Sequence, residues 1–274
     1  MMVEPDPLYT TGDLYERWLG EIDRDLGFWP ALAERLGARR VLELGCGSGR
    51  LLVPLARALS ARGGVVVGLD REPRMLHAAD RRLAGEPESV RAAGRLVLGD
   101  MRRPKLGAER FDLVFVPFNT LAHVHSQADR LACLRSAASL LAQHGRLAVD
   151  VAQPDLNLLG QAGSGEAWIE RTWDEADPGS DASTRVLLWR KDRYERASQT
   201  FEVTLMAERM RAGELPRTES VRVPLHVFFP AEMDTVLALA GLEVEARYGD
   251  YEFGAFDEAS TVLITVARPI AARG

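Results

Sequence analysis

No run of 18 or more apolar residues occurs in this 274-residue chain, so no helical membrane span is expected. Cysteine is scarce: Cys46 and Cys133 are the only two, and neither suggests a disulfide framework. Basic clusters are missing as well. The net charge is −6, and no block of Lys and Arg is long enough to follow a phosphate backbone, so neither nucleic acid nor a membrane is expected as a partner. Residues Met1 to Thr11 carry Glu4, Asp6 and prolines where a signal peptide would be apolar, which points to a cytoplasmic protein. What is present is a 46% hydrophobic share, enough for the core of one large domain over 1–274.

That core is organised around Val41-Leu42-Glu43-Leu44-Gly45-Cys46-Gly47-Ser48-Gly49-Arg50. The apolar run reads as a buried strand, three alternate glycines end it, and Leu51 to Ala61 has helical apolar spacing. A strand passing through glycines into a helix leaves backbone N–H groups unpaired and lets a ligand approach without meeting a Cβ. The dinucleotide fingerprint would need glycine where Arg50 stands, and the Walker Gly-Lys-Ser/Thr is absent. An acid just before the loop, Glu43, would repel a pyrophosphate and attract a cation. The segment Glu43 to Gly49 resembles motif I of the class I S-adenosylmethionine-dependent methyltransferases, small-molecule type.

The chain from Leu42 to Asp150 follows the same pattern. Pro54 falls near the start of the first helix, which Gly63-Gly64 stops, and Val65 to Leu69 forms a second strand ending in Asp70. That acid follows the glycine loop by about the twenty residues expected of a carboxylate gripping both ribose hydroxyls, or else it caps the next helix. A third strand, Arg95 to Gly99, ends in Asp100 and Met101; the acid can accept the adenine amino group and the Met101 N–H can donate to the ring, unless Asp100 is a turn acid. By resemblance the cofactor set is Tyr15, Glu43, Gly45, Cys46, Gly47, Asp70, Arg71, Met75, Asp100, Met101 and Phe118, around S-adenosylmethionine. By the same resemblance Met75 would pack near the adenine and Tyr15 near the methionine end, although both side chains also suit plain packing.

Strand four, Asp112 to Pro117, is followed by Phe118-Asn119-Thr120. Relatives that methylate DNA bases or glutamine side chains resemble one another in Asn/Asp-Pro-Pro-Tyr/Phe there, and its absence points to a small-molecule acceptor. Leu131, Leu134, Leu141 and Gly145 read as a helix with its stop, and Arg146 to Val151 as strand five. Alternating strands and helices predict a doubly wound, Rossmann-like α/β fold, and the resemblance implies a seven-stranded methyltransferase sheet. Before it, Leu14, Trp18, Ile22 and Leu26 recur at helical spacing, so 1–40 reads as an N-terminal helical cap whose aromatics pack or cover the cofactor.

After strand five the rhythm changes. Thr184 to Tyr194, Gln199 to Arg211 and Thr218 to Val227 alternate apolar and polar residues, as antiparallel strands with one wet face do. An inserted three-stranded sheet over 155–228 is expected, preceded by a loop-rich segment Gly160 to Asp181, acting as a lid or a homodimer surface. The ending reads as helix Ala231 to Ala240 and strands Leu242 to Tyr248 and Thr261 to Ala267, matching the family's last two strands.

Methyl transfer from a sulfonium needs a nucleophile in line with the S–CH₃ bond, so orientation dominates, and no metal is expected. An amine needs only its neutral form, whereas a hydroxyl needs a base such as His. The candidates on the acceptor side are Asn119, His123, His226 and Tyr251; His123 and His125 alone make no metal site. N-methylation of a small molecule is slightly favoured over O-methylation. A catalytically inactive cofactor-binding scaffold and a dinucleotide-dependent oxidoreductase are the alternatives, and Arg50 counts against the second.

Overall fold

The computed structural model describes residues 23–162, 166–176 and 183–270. Among them two compact units form, one from 23–154 with 228–270 and the other from 155–227.

The first unit begins with helix α1 (Phe28–Arg35), whose Phe28, Trp29, Leu32 and Ala33 are buried. Strand β1 (Arg40–Leu44) is buried from its second residue on, as a central parallel strand covered on both faces must be. Helix α2 (Leu52–Ser60) turns Leu52, Val53, Leu55, Ala56 and Leu59 inward. Strand β2 (Val65–Asp70) pairs parallel with β1, Val41 opposite Val66. Gly68 lies where α2 crosses the sheet: a Cβ there would collide with Leu52 and approach the Cys46 sulfur.

Helix α3 (Pro73–Ala84) starts on a proline, which loses nothing by lacking an N–H in the first turn. Helix α4 (Glu88–Ala93) leads into β3 (Gly94–Leu98), and β4 (Phe111–Val116) returns to the sheet centre beside β1. Helix α5 (Gln127–Ser139) is capped by Ser126, whose hydroxyl accepts from the Asp129 N–H at 3.0 Å. Strand β5 (Leu141–Ala152) follows at once. The helix thus stops before Leu141, and both Leu141 and Gly145 belong to the strand rather than to a helix and its stop. Leu141 pairs with Phe111 before the register shifts, and a Cβ on Gly145 would lie 2.6 Å from the Phe111 carbonyl, so close strand approach explains that glycine.

The 155–227 unit holds helix α6 (Leu156–Gln161) and strands β6 (Ala167–Ala176), β7 (Ser183–Glu195), β8 (Thr200–Met210) and β9 (Arg217–His226). They form one antiparallel sheet in the order β6-β7-β8-β9. The insertion therefore has four strands, not three; the extra strand occupies part of the segment read as loop. Strand β8 alternates strictly, and Phe201, Val203, Leu205 and Ala207 pack with Val186, Leu188, Val221 and Val223 as the unit's core.

The chain then completes the first unit with helix α7 (Pro230–Leu239) and strands β10 (Leu242–Tyr248) and β11 (Val262–Pro269). The seven-stranded sheet runs β10-β11-β5-β4-β1-β2-β3, parallel except for β11, which is antiparallel to both its neighbours. The doubly wound expectation is met. Of the N-terminal cap, residues 1–22, Tyr15 included, lie outside the described residues. Among the described residues no helix is long and apolar enough to cross a membrane.

Candidate functional site

The glycine loop follows β1, and its shape is fixed from two sides. Gly45, Gly47 and Gly49 all adopt positive φ, at 75°, 51° and 79°, where a side chain would be strained. The Gly45 and Cys46 N–H groups both donate to the Leu69 carbonyl, at 2.7 and 3.1 Å, and the Gly47 N–H donates to Asp70 Oδ2 at 2.7 Å. Asp70 Oδ1 accepts the Glu72 N–H at 2.9 Å, so this acid holds the loop and also the residue that leads into α3. Burial raises the Asp70 pKa, and those N–H groups oppose the rise. Met75 reaches the loop from α3, its Cε 3.7 Å from the place a Gly47 Cβ would take.

Beneath the loop Glu43 is 2% exposed and its Oε2 has no hydrogen-bond partner. Burial pushes its pKa well above the usual carboxylate range; Arg50 pulls it down, while Asp70 and Asp25 push it further up. Arg50 is itself held by Asp25 through a two-pronged ion pair, one prong of it Nη2 to Oδ2 at 2.7 Å. Asp25 is fully buried. The sequence reading used Arg50 only to exclude a dinucleotide and missed Asp25; one acid 25 positions before one arginine has no local signature.

On the far side, β4 ends in a turn that reverses through two consecutive non-glycine residues at positive φ, Phe118 at 52° and Asn119 at 57°. Such residues typically cost about 1–3 kcal/mol each and persist only where their surroundings dictate them. Asp150, 1% exposed on β5, accepts the Phe118 N–H on Oδ2 at 3.0 Å, and its backbone carbonyl accepts the Asn119 N–H at 3.1 Å. Asn119 Oδ1 accepts the Ala152 N–H at 2.6 Å. Tyr251 donates its hydroxyl to the same Asp150 Oδ2 at 2.9 Å. Burial is the main cause lifting Asp150 to about 6, and burial followed by the Asp150 charge raises the Tyr251 phenol well above its usual value. The turn also meets the glycine loop: a Cβ on Gly45 would collide with the Thr120 methyl, and the Arg50 guanidinium lies 5.0 Å from the Phe118 ring centre.

The seven-stranded unit thus gathers Glu43, Gly45, Cys46, Gly47, Asp70, Met75 and Phe118 around one loop and its neighbours. Arg71, adjacent to Asp70, is exposed and pairs with Glu72 at 3.7 Å. Asp100 departs from the expected picture. Its carboxylate is gripped by Arg102, with Nε at 2.9 and 3.0 Å, Nη2 at 2.5 Å and the Arg102 N–H at 2.8 Å, and that grip holds its pKa low. Arg102 also reaches Asp129 at 3.2 Å. Arg102, unnoticed in the sequence, competes directly for the lone pairs assigned to an adenine amino group, and Met101 beside Asp100 is half-buried.

Among the acceptor-side candidates, Asn119 Oδ1 and the Tyr251 hydroxyl are engaged with β5. His123 lies half-buried in a short 3₁₀ turn, Thr120–His123. His226 belongs to the other unit, buried at the end of β9 opposite Thr200. The Cys46 thiol is buried and its pKa is raised, chiefly by that burial, so it is no nucleophile.

These residues suit S-adenosylmethionine. The orphaned Glu43 oxygen is matched to an ammonium, the positive-φ loop admits close approach, and Asp70 stands at the tip of the next strand. Residues 41–145 match the family model described as a methyltransferase domain. A 156-residue segment is 32% identical to the ubiquinone biosynthesis O-methyltransferase of Cereibacter sphaeroides; it covers 55% of this chain and 55% of that protein, so the match spans about half the length of that curated relative. The CcbJ methyltransferase of Streptomyces caelestis shares 27% identity at a TM-score of 0.73, over 94% of this chain and 96% of that one. The sugar N-methyltransferase KedS8 from a Streptoalloteichus species has the same fold, with 21% identity, a TM-score of 0.71 and coverage of 98% and 97%. Residues 41–145 thus resemble a methyltransferase domain, set in a fold shared with solved methyltransferases.

Proposed function

We propose that the protein transfers a methyl group from S-adenosylmethionine to a small molecule, with an amine favoured over a hydroxyl. The observation that carries this is Glu43: a carboxylate buried under a glycine loop with one oxygen left without a protein partner, next to the Asp70 carboxylate. Glu43, the loop N–H groups, Asp70 and Met75 would hold the donor. Bound there, the donor supplies an electrophilic methyl on a sulfonium. The chain's own part is to bind, orient and exclude water, and orientation alone can be worth ~7–11 kcal/mol.

An amine acceptor is supported by the state of the polar groups near the turn. Asn119 Oδ1 and the Tyr251 hydroxyl are engaged with β5, so neither is set up to remove a proton, and a neutral amine needs no such removal. KedS8, with the same fold, is described as a sugar N-methyltransferase, which makes amino sugars the first acceptors to try. A hydroxyl acceptor is the second reading, favoured by the 32% identity to an O-methyltransferase, and His123 would then be the base. The 155–228 insertion keeps the role inferred from its sequence, a lid or a dimer surface, and light scattering at several concentrations separates the two.

The test is transfer of a labelled methyl from S-adenosylmethionine to panels of amino sugars, other amines and phenols. Label in amines alone supports the first reading, and label in phenols alone with a His123-dependent pH profile supports the second. Tight S-adenosylhomocysteine binding with no transfer to any panel would favour a cofactor-binding scaffold.

A further inference from the structure

The turn after β4 holds two adjacent left-handed residues, neither of them glycine, and what keeps it there is concentrated in one acid. Asp150 Oδ2 accepts both the Phe118 N–H and the Tyr251 hydroxyl, and the Asp150 carbonyl accepts the Asn119 N–H. Tyr251 is braced in turn, its ring packed edge-on to Phe28 at 5.9 Å and covered by Arg24 at 5.7 Å. The opposite face of the turn rests on the donor loop, with the Thr120 methyl in the space a Gly45 side chain would need and Phe118 beneath the Arg50 guanidinium. Asp150 and Tyr251 reach the glycine loop through the turn, by way of the bonds to Phe118 and Asn119.

We propose that Asp150 and Tyr251 are positioning residues that press the Phe118–Thr120 turn against the glycine loop and thereby set how tightly the methyl donor is held. Tyr251 is accordingly a brace and not a proton acceptor. This rests on the reading of the glycine loop as the donor site.

The variants separate a clamp from a merely structural acid. In the full chain, Asp150→Ala should weaken S-adenosylhomocysteine binding, read by calorimetry, by about five- to tenfold while the far-ultraviolet circular dichroism is kept. Asp150→Asn keeps an oxygen able to accept both bonds, and should bind within about twofold of the parent. Tyr251→Phe removes one of the two donors and should fall between. Because glycine takes positive φ without strain, adding Asn119→Gly to Asp150→Ala should restore part of the lost affinity, although the bond to Ala152 is gone. Amide hydrogen exchange gives a measure independent of the donor: Asp150→Ala should speed exchange at Phe118 and Asn119 by about tenfold or more, and Asp150→Asn should not.

Unchanged affinity in Asp150→Ala, or a loss that neither asparagine at 150 nor glycine at 119 recovers, overturns the proposal. If the parent fails to bind S-adenosylhomocysteine, the donor reading fails and the link to donor affinity is overturned with it. The exchange data then decide separately whether the clamp exists.

Discussion

Asp70 Oδ2 lies 2.7 Å from the amide nitrogen of Gly47, so the acid at the tip of β2 fixes the loop that follows β1. Its other oxygen takes the Glu72 N–H, and the carboxylate thus ties the glycine loop to the residue that leads into α3. Asp70→Ala should weaken S-adenosylmethionine binding by more than tenfold, about 1.4 kcal/mol, with the fold kept. Asp70→Asn should do little better, because its NH₂ must face one of the two backbone N–H groups. Calorimetry on both variants checks this, and unchanged affinity would remove the ribose assignment.

The Asp25–Arg50 pair is buried at one end and partly open at the other, with side-chain exposures of 0% and 25%. Removing one partner leaves a charge with little water to meet it. Asp25→Ala should cost about 2–4 kcal/mol, below the full-burial range because Arg50 can turn toward solvent. The apolar double variant Asp25→Leu/Arg50→Met should cost less than the two single changes summed. Urea unfolding of the parent, Asp25→Leu, Arg50→Met and the double variant measures the coupling.

Asp150 supplies a pH signature. Burial lifts its pKa in the folded chain to about 6, against ~3.9 for an ordinary aspartate, so the folded state holds this proton more firmly than the unfolded state. Ionising it therefore costs stability as pH rises through that interval, and the asparagine variant escapes the cost. Relative to the parent, Asp150→Asn should gain about 1–1.5 kcal/mol on going from pH 5 to pH 8. Denaturant unfolding of the pair at the two pH values gives the difference, and equal slopes would mean Asp150 is solvated.

Asp100 shows the opposite sign. Arg102 holds its carboxyl below the ordinary value, so the associated stability is present above the unfolded pKa and is lost as pH falls through the folded one. Arg102→Ala should move the Asp100 titration upward, observable by carboxyl carbon NMR, and should flatten the acid-side loss. The same variant frees lone pairs for an adenine amino group. If Asp100 binds the base, donor affinity should hold or rise.

The parallel strands were visible because burial on both faces writes itself as continuous apolar sequence: β1, β2 and β4 are where Val41, Val65 and Asp112 placed them. Strand β6 was not visible. Its residues Ala167–Ala176 lie on a sheet edge and are mostly exposed on both sides, so no two-residue alternation marks them. The α5–β5 junction was misplaced for a related reason: Leu141 is apolar at a spacing that continues the helix, and only pairing with Phe111 makes it strand.

At the site, single strand-tip acids could be read from position, but their partners could not. Arg102 sits two residues from Asp100 and still left no pattern, because a surface arginine and a gripping one look alike in sequence. Asp25, Asp150 and Tyr251 meet their partners only after the sheet closes, across separations of 25, 32 and 101 residues.

Strand β11 lies between β5 and β10, so the last strand among the described residues is an interior one. During synthesis the ribosome must release the chain through Pro269 before β5 gains its second neighbour and β10 gains any strand neighbour at all. Until then a growing polypeptide carries an open, sticky flank, and it should lean on chaperones late in its production. A nonsense codon shortly before Val262 would thus be as damaging as one far upstream.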